Sequence, residues 1–141
     1  MASGGDTLWS NQFLAYEGLS EPIRALIDGL TALHGRPALH GRPALTGTTT
    51  HPMVKSHPVN NRGRLSVNRG WTRAVASLSE TDSRPLLAML FERNEHAEYQ
   101  ICWRWTAGDA ALWDNRCTMH YSVDDDAGER SAARWATIYD D

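Results

Sequence analysis

The sequence predicts a single α+β domain, and three observations predict it. Two segments open with helix-capping residues and then carry apolar side chains at helical spacing. Several short segments alternate polar and apolar residues, as half-buried strands do. At 141 residues, 41% of them hydrophobic, the chain has material for one modest core and the composition of a folding chain. Helices packed on antiparallel strands give the α+β class.

Along the chain, Thr7-Leu8-Trp9-Ser10 reads as a short strand after a Gly4-Gly5 turn, and residues 11–18 have room for one or two helical turns. Ser20-Glu21-Pro22 opens a helix, with Ser20 as N-cap and proline in the first turn; Ile23, Leu26, Ile27 and Leu30 form its buried stripe. Leu33-His34-Gly35-Arg36-Pro37-Ala38 is then repeated at once as Leu39-His40-Gly41-Arg42-Pro43-Ala44. Two copies are too few for a solenoid, and Gly and Pro in each argue against helix or central strand, so residues 33–50 read as a loop lengthened by tandem duplication. Its histidines and arginines are either metal or anion ligands or, more simply, a solvated loop.

Residues 51–57, with Pro52 and Pro58 near their ends, read as an edge strand or an extended loop. Arg64-Leu65-Ser66-Val67-Asn68 alternates like a half-buried strand. Ser79-Glu80-Thr81-Asp82 caps a second helix whose core stripe is Leu86, Leu87, Leu90 and Phe91. Residues 98–105 are the clearest strand, with Tyr99, Ile101, Trp103 and Trp105 on one face; residues 110–113 and 130–138 supply two more. Six tryptophans favour a β-rich core or an aromatic-lined pocket.

A net charge of −3 provides no electrostatic basis for nucleic acid or an anionic membrane as partner. No apolar run approaches the roughly 20 residues of a membrane helix. Residues 1–6 lack the basic and apolar regions of a signal peptide, so a cytoplasmic location is expected. Cys102 and Cys117 read as lying on neighbouring strands, where a disulfide is possible in geometry but disfavoured by a reducing compartment.

The chemistry concentrates between Gly108 and Tyr121. A Gly-Asp turn leads into an apolar strand that ends in Trp113-Asp114-Asn115-Arg116, and His120 follows where the chain bends back. This layout delivers one imidazole to the mouth of a β-barrel. Asp114 and Asn115 are expected to hold the turn through side-chain bonds to backbone. Trp113 is either core or pocket lining. Asp124-Asp125-Asp126 is a weak cation site or, more simply, a solvated loop. A convergence of His51 and His57 with His120 on some other metal is a further alternative. Ser131 has no base beside it in sequence, so no nucleophile is expected there.

Taken together, these segments resemble the taurine dioxygenase family of iron(II)- and 2-oxoglutarate-dependent oxygenases. The likeness runs through Gly4-Gly5-Asp6-Thr7-Leu8-Trp9 and Ala15-Tyr16-Glu17-Gly18-Leu19-Ser20 to a helix ending near Gly29-Leu30-Thr31-Ala32-Leu33-His34. It continues through His51-Pro52-Met53-Val54-Lys55-Ser56-His57-Pro58, Leu65-Ser66-Val67-Asn68 and Leu78-Ser79-Glu80, and closes on the Trp-Asp-Asn-Arg block with its histidine. The fold it implies is a partial double-stranded β-helix, a cupin-like jelly-roll with two or three flanking helices, of which only the later strands, the C-terminal half, are present.

The activity the resemblance implies is hydroxylation beside a sulfonate, sulfate ester or aryloxyacetate group, with iron(II) and 2-oxoglutarate as cofactors. The family's iron is held by two histidines and one carboxylate on one face. His120 matches the third ligand. The first two come as His-x-Asp upstream of the Gly-Gly-Asp-Thr strand, and this sequence contains no His-x-Asp; its one His-x-Glu, His96-Ala97-Glu98, falls in the family's helix-to-strand loop. Thr7 takes the position of the threonine that holds 2-oxoglutarate. The position of the co-substrate arginine is occupied by Ser131 and that of the sulfonate-binding arginine by Trp135; Arg130 and Arg134 stand one residue out of step, which turns them to the other face of a strand. The expected pocket is therefore Trp113, Ser131 and Trp135 around His120 and Thr7. The chain is expected to be a truncated relative that lacks the oxygenase activity in isolation. The alternatives are a non-catalytic homodimer joined through exposed sheet edges, with a small anionic ligand, and a repurposed hydrolase using another divalent metal.

Overall fold

The chain turns from strand to helix at a single residue near its start. Asn11 ends strand β1 (Thr7–Asn11) and caps helix α1 (Gln12–Glu17), its Oδ1 accepting from the Phe13 and Leu14 backbone N–H groups at 3.0 and 3.2 Å. The computed structural model describes residues 5–35, 47–123, 134 and 136–138. Helix α2 (Glu21–Ile27) follows, with Pro22 in its first turn. Ser20 occupies the N-cap position with extended backbone, but its side chain makes no capping bond. The helix stops after seven residues, and Gly29 adopts φ +84° beyond it, a left-handed conformation that favours glycine. The expected stripe is correspondingly narrower: Ile27 is fully buried and Ile23 partly so, while Leu26 is 52% exposed.

Two three-stranded antiparallel sheets and a hairpin carry the remaining elements. Strands β2 (Thr31–His34), β3 (Thr49–Pro52) and β6 (Thr72–Val75) form one sheet in the order β3-β2-β6. Strands β4 (Val54–Ser56) and β5 (Gly63–Leu65) form the hairpin. The second sheet is β7 (Gln100–Trp103), β1 and β8 (Thr118–Ser122), with β1 in the centre. Helices with antiparallel sheets make the α+β class.

Several sequence expectations are corrected. The duplicated segment does not begin as a loop: Leu33 and His34 are the end of β2, hydrogen-bonded on both sides. Residues 36–46 lie outside the described residues. The edge strand expected over 51–57 is two short strands broken at buried Met53, and the strand expected from Arg64 is β5 plus an extended stretch in which Leu65, Ser66 and Val67 are all buried. Residues 98–105 divide into a 3-10 turn (Ala97–Tyr99) and β7, whose shared apolar face leaves Ile101 65% exposed and Trp103 half exposed. No strand forms over 110–113, where Leu112 is 90% exposed. The strand expected over 130–138 falls largely outside the described residues. Cys102 in β7 and Cys117 before β8 are not on neighbouring strands, because β1 lies between them; both thiols are free.

The core collects Ala15, Leu19, Ile27, Ala32, Met53, Leu65, Val67, Val75, Leu87, Leu90 and Phe91. Its largest contributor is helix α3 (Glu80–Asn94), started by Ser79 Oγ, which accepts from the Asp82 N–H at 3.2 Å. Three of the four stripe residues read from the sequence, Leu87, Leu90 and Phe91, are buried there, and Leu86 packs against them. Two polar groups of α3 substitute for strand partners. Ser83 Oγ accepts from the Val75 N–H at 2.7 Å, and the fully buried Asn94 donates through Nδ2 to the Val67 carbonyl while its own backbone carbonyl accepts from Ser10 Oγ–H. The end of α3 thus joins β1 to the first core.

A second tie reaches across 57 residues of sequence. His57, buried, hydrogen-bonds through Nε2 to Asp114 Oδ2 at 3.0 Å, and its Nδ1 accepts from the Val59 N–H at 3.3 Å. A ring nitrogen that accepts carries no proton, so the ring proton sits on Nε2 and is donated to the carboxylate. Arg116 forks onto the same carboxylate, Nε to Oδ1 at 2.9 Å and Nη2 to Oδ2 at 2.8 Å, with its backbone N–H on Oδ1 at 2.8 Å. The Arg116 bonds, then that from His57, hold the Asp114 carboxyl well below the usual carboxylate range.

Leu90→Ala, at a site with no exposure, is expected to cost about 2–5 kcal/mol in urea unfolding, against about 0.5 kcal/mol for Met89→Ala on the outer face; equal losses would contradict the packing of α3. Asp114 titrates lower when folded than unfolded, so its tie is present above about pH 4 and fades as pH falls below that. A third of its side chain meets solvent, so Asp114→Asn is expected to lose on the order of 1 kcal/mol at pH 7. That gap should shrink between about pH 4 and pH 2. A gap independent of pH would contradict the tie.

Candidate functional site

The register of the second sheet decides what His120 meets. Trp9 on the central strand lies opposite His120 on one side and Ile101 on the other, and Thr7 lies opposite Ser122 and Trp103. Residues paired directly across antiparallel strands share a face, and alternate residues of one strand do too. Thr7, Trp9 and His120 therefore stand on one face of this sheet, and Ser10, which bonds to the end of α3, stands on the other.

That face is aromatic. Trp9 meets Trp105 edge-on at 6.1 Å and Trp113 edge-on at 5.2 Å between ring centroids, and Trp113 lies 5.4 Å from the His120 ring. Trp113 is half-buried beside the imidazole and donates through Nε1 to Asn115 Oδ1 at 2.8 Å. Thr7 is 2% exposed, and its Oγ1 accepts from Trp105 Nε1–H at 2.9 Å, which leaves the hydroxyl proton available for an acceptor. Trp9 Nε1 is buried with no hydrogen-bond partner among the described residues. His120 is exposed over part of its surface, yet desolvation on its packed side pushes its pKa below the usual histidine value, toward the neutral form that ligates metals.

The turn that carries His120 forward is held by Asp114 as its residue type predicts, whereas the Asn115 side chain accepts from the Trp113 indole instead of from backbone. Asp114 accepts from the Arg116 N–H, the Cys117 N–H bonds back to the Asp114 carbonyl at 3.2 Å, and the Gln12 N–H bonds to the Cys117 carbonyl at 3.0 Å, docking the turn on the end of β1. The pairing of Asp114 with His57 had no sequence signal beyond the two motifs themselves, because no spacing rule links residues so far apart.

Among the described residues, one group offers three metal-ligating atoms within 4.8 Å of one another: His57, Asp114 and Cys117. It includes neither His120 nor His51, so the expected convergence of His51, His57 and His120 is not formed. His51 instead packs on His34, with ring centroids 5.0 Å apart. A cation between His57 and Asp114 would have to displace the Arg116 fork and the proton on Nε2, so the group works as a structural tie. Ser131, Trp135 and Asp124-Asp125-Asp126 lie outside the described residues; Arg134 is described and exposed. Glu98, of the His96-Ala97-Glu98 unit, sits in the 3-10 turn before β7.

The described residues hold no helix long and apolar enough to cross a membrane. Known proteins resemble the chain along nearly its whole length. It is 37% identical to the alpha-ketoglutarate-dependent sulfate ester dioxygenase of Pseudomonas putida, covering 97% of this chain and 51% of that one. It is 32% identical to the alpha-ketoglutarate-dependent 2,4-dichlorophenoxyacetate dioxygenase of Cupriavidus pinatubonensis, covering 99% and 52%. The crystal structure of a taurine dioxygenase from Burkholderia xenovorans superposes with a TM-score of 0.78 at 38% identity, covering 86% of this chain and 41% of that one. The chain thus spans about half the length of the curated relatives it matches. A family profile described as taurine catabolism dioxygenase TauD, TfdA family matches residues 1–136, and the chain belongs to that family.

Proposed function

We propose that this chain contributes part of an iron(II)- and 2-oxoglutarate-dependent oxygenase site, with His120 as one metal ligand and Thr7 as a co-substrate anchor, on a partial jelly-roll. The observation that carries this reading is the register of β1 with β8, which sets a buried threonine hydroxyl and a histidine with lowered pKa on one aromatic-walled face. Thr7 Oγ1–H and the orphaned Trp9 Nε1–H are buried donors on that strand, which suits a carboxylate-bearing small molecule. The substrate class by kinship is a sulfonate, a sulfate ester or an aryloxyacetate, since relatives bearing sulfate ester and 2,4-dichlorophenoxyacetate dioxygenase names match nearly the whole chain.

A face of two histidines and a carboxylate is what iron(II) needs in such enzymes. These 141 residues contain no His-x-Asp, and the three-ligand group among the described residues excludes His120. The residues present do not by themselves fit the iron site, and we read the isolated chain as catalytically silent. What this chain's residues do is local: Trp113 walls one side of the imidazole, Trp105 orients the Thr7 hydroxyl, and the Asp114–Arg116 turn fixes the approach of β8.

A second reading, compatible with the first, is self-association. Among the described residues, strands β7 and β8 are both edges of their sheet, and they present Ile101, Trp103 and Tyr121 to solvent, Tyr121 62% exposed. Unpaired edges with large apolar side chains favour pairing with another copy.

Incubated with iron(II), 2-oxoglutarate and each substrate class, the isolated chain is expected to form no succinate above the blank. Succinate that disappears in His120→Ala would contradict the silence and place the missing ligands within this chain. Light scattering behind size-exclusion chromatography should give twice the mass of one chain at micromolar concentration, and Ile101→Lys should halve it; a clean monomer for the unaltered chain would remove the second reading.

A further inference from the structure

Cations and carboxylates are matched unevenly in the described residues. Arg62, Arg69, Arg84, Arg104 and Arg116 each have a carboxylate within 4.0 Å, although their side chains are all at least 40% exposed. Lys55 and Arg64 are more sheltered, both half-buried, and neither has such a partner among the described residues. They sit directly opposite each other across the β4–β5 hairpin, so both side chains leave the same face. The Arg64 guanidinium makes one long bond, 3.4 Å to the neutral Gln12 Oε1. Asp114 is near enough to act on Arg64 through its charge, but its oxygens are already occupied by Arg116 and His57.

Two imidazoles continue the polar run from Lys55. Lys55 Nζ lies 3.4 Å from His51 Nδ1, and the His51 ring is 5.0 Å from that of His34. Hydroxyls flank both rings, Thr49 Oγ1 at 3.1 Å from His51 Nε2 and Thr72 Oγ1 at 3.3 Å from His34 Nε2. Burial first, then the neighbouring positive groups, push His34 down (from His51 and Lys55) and Lys55 down (from Arg64). Holding two sheltered cations together with no carboxylate in direct contact is costly, and a bound anion with several acceptor oxygens offsets that cost.

We propose that Lys55 and Arg64, with His51 and His34 beside them, form a binding site for a small tetrahedral oxyanion: inorganic phosphate or sulfate, or the same group carried as a monoester. Lys55 supplies a compact charge and Arg64 a planar fork. His34 supplies an imidazole that can take up a proton when the anion arrives, and His51 packs beside it and Lys55. The site uses none of Thr7, Trp113 or His120 and stands whether or not the oxygenase reading does.

The test titrates the full chain with inorganic phosphate, inorganic sulfate and methyl phosphate, against sodium chloride at matched ionic strength, by calorimetry and by NMR of the histidine side-chain nitrogens. Saturable binding of the oxyanions is expected, with the His34 side-chain nitrogen signals moving as the site fills and those of the distant His96 staying in place. Lys55→Met and Arg64→Met should each weaken binding about tenfold or more, while Arg84→Met leaves it unaltered. Lys55→Arg, which keeps the charge, should restore binding if either truncation disturbs folding. Tighter binding of methyl phosphate than of phosphate assigns the site to an ester group, and the reverse to the free ion. A chloride response equal to that of sulfate, or affinity unchanged in a folded Lys55→Met variant, would overturn the proposal.

Discussion

The pairing of β1 with β8 is the constraint on which the rest of the structure depends. β1 is five residues long, yet it is the centre of its sheet, the N-cap of α1 through Asn11, and the support of α3 through Ser10. Its alternation sends Thr7 and Trp9 to the face of His120 and Ser10 to the face of α3. A strand slipped by one residue would exchange those faces completely. The site would then lose its histidine and the core its clamp in one step.

Around that strand, polar ties do what a larger core would otherwise do. Asn94 and Ser83 complete strand backbones from α3, and the His57–Asp114–Arg116 group binds the β4–β5 loop to the turn before β8. Each is buried or half-buried, so each is directional and intolerant of removal. The aromatic wall is a consequence of the same arrangement: with the turn docked, Trp113 has one place to go, between Trp9 and His120.

Much of this was legible from residues alone, and the failures have physical causes. The α3 start was readable because Ser79 followed by Asp82 is a local capping signal, and the buried stripe of α3 follows helical spacing that packing did not override. β2 was missed because its last residues belong to the Gly- and Pro-bearing duplication, where neighbours argue for a loop; pairing on both sides outweighs that local signal. β6, Thr72–Val75, is too short and polar to announce itself. The apolar face of β7 was legible, but its exposure was not, because alternation reports a face and not what covers it. Thr7 and His120 were found by resemblance, whereas their shared face followed only from the register. The pair Lys55 and Arg64 lies nine residues apart in sequence and meets only because the hairpin closes.

The chain belongs to the dioxygenase family and spans about half the length of its curated relatives, with β7 and β8 flanking β1 among the described residues. The central claim remains the strand register, and cross-strand nuclear Overhauser effects measure it most directly. Backbone contacts that pair Trp9 with His120, Ser10 with Met119 and Leu8 with Tyr121 are the predicted result. Contacts that pair Trp9 with Met119 or Tyr121 would put His120 on the face of α3 and contradict the account.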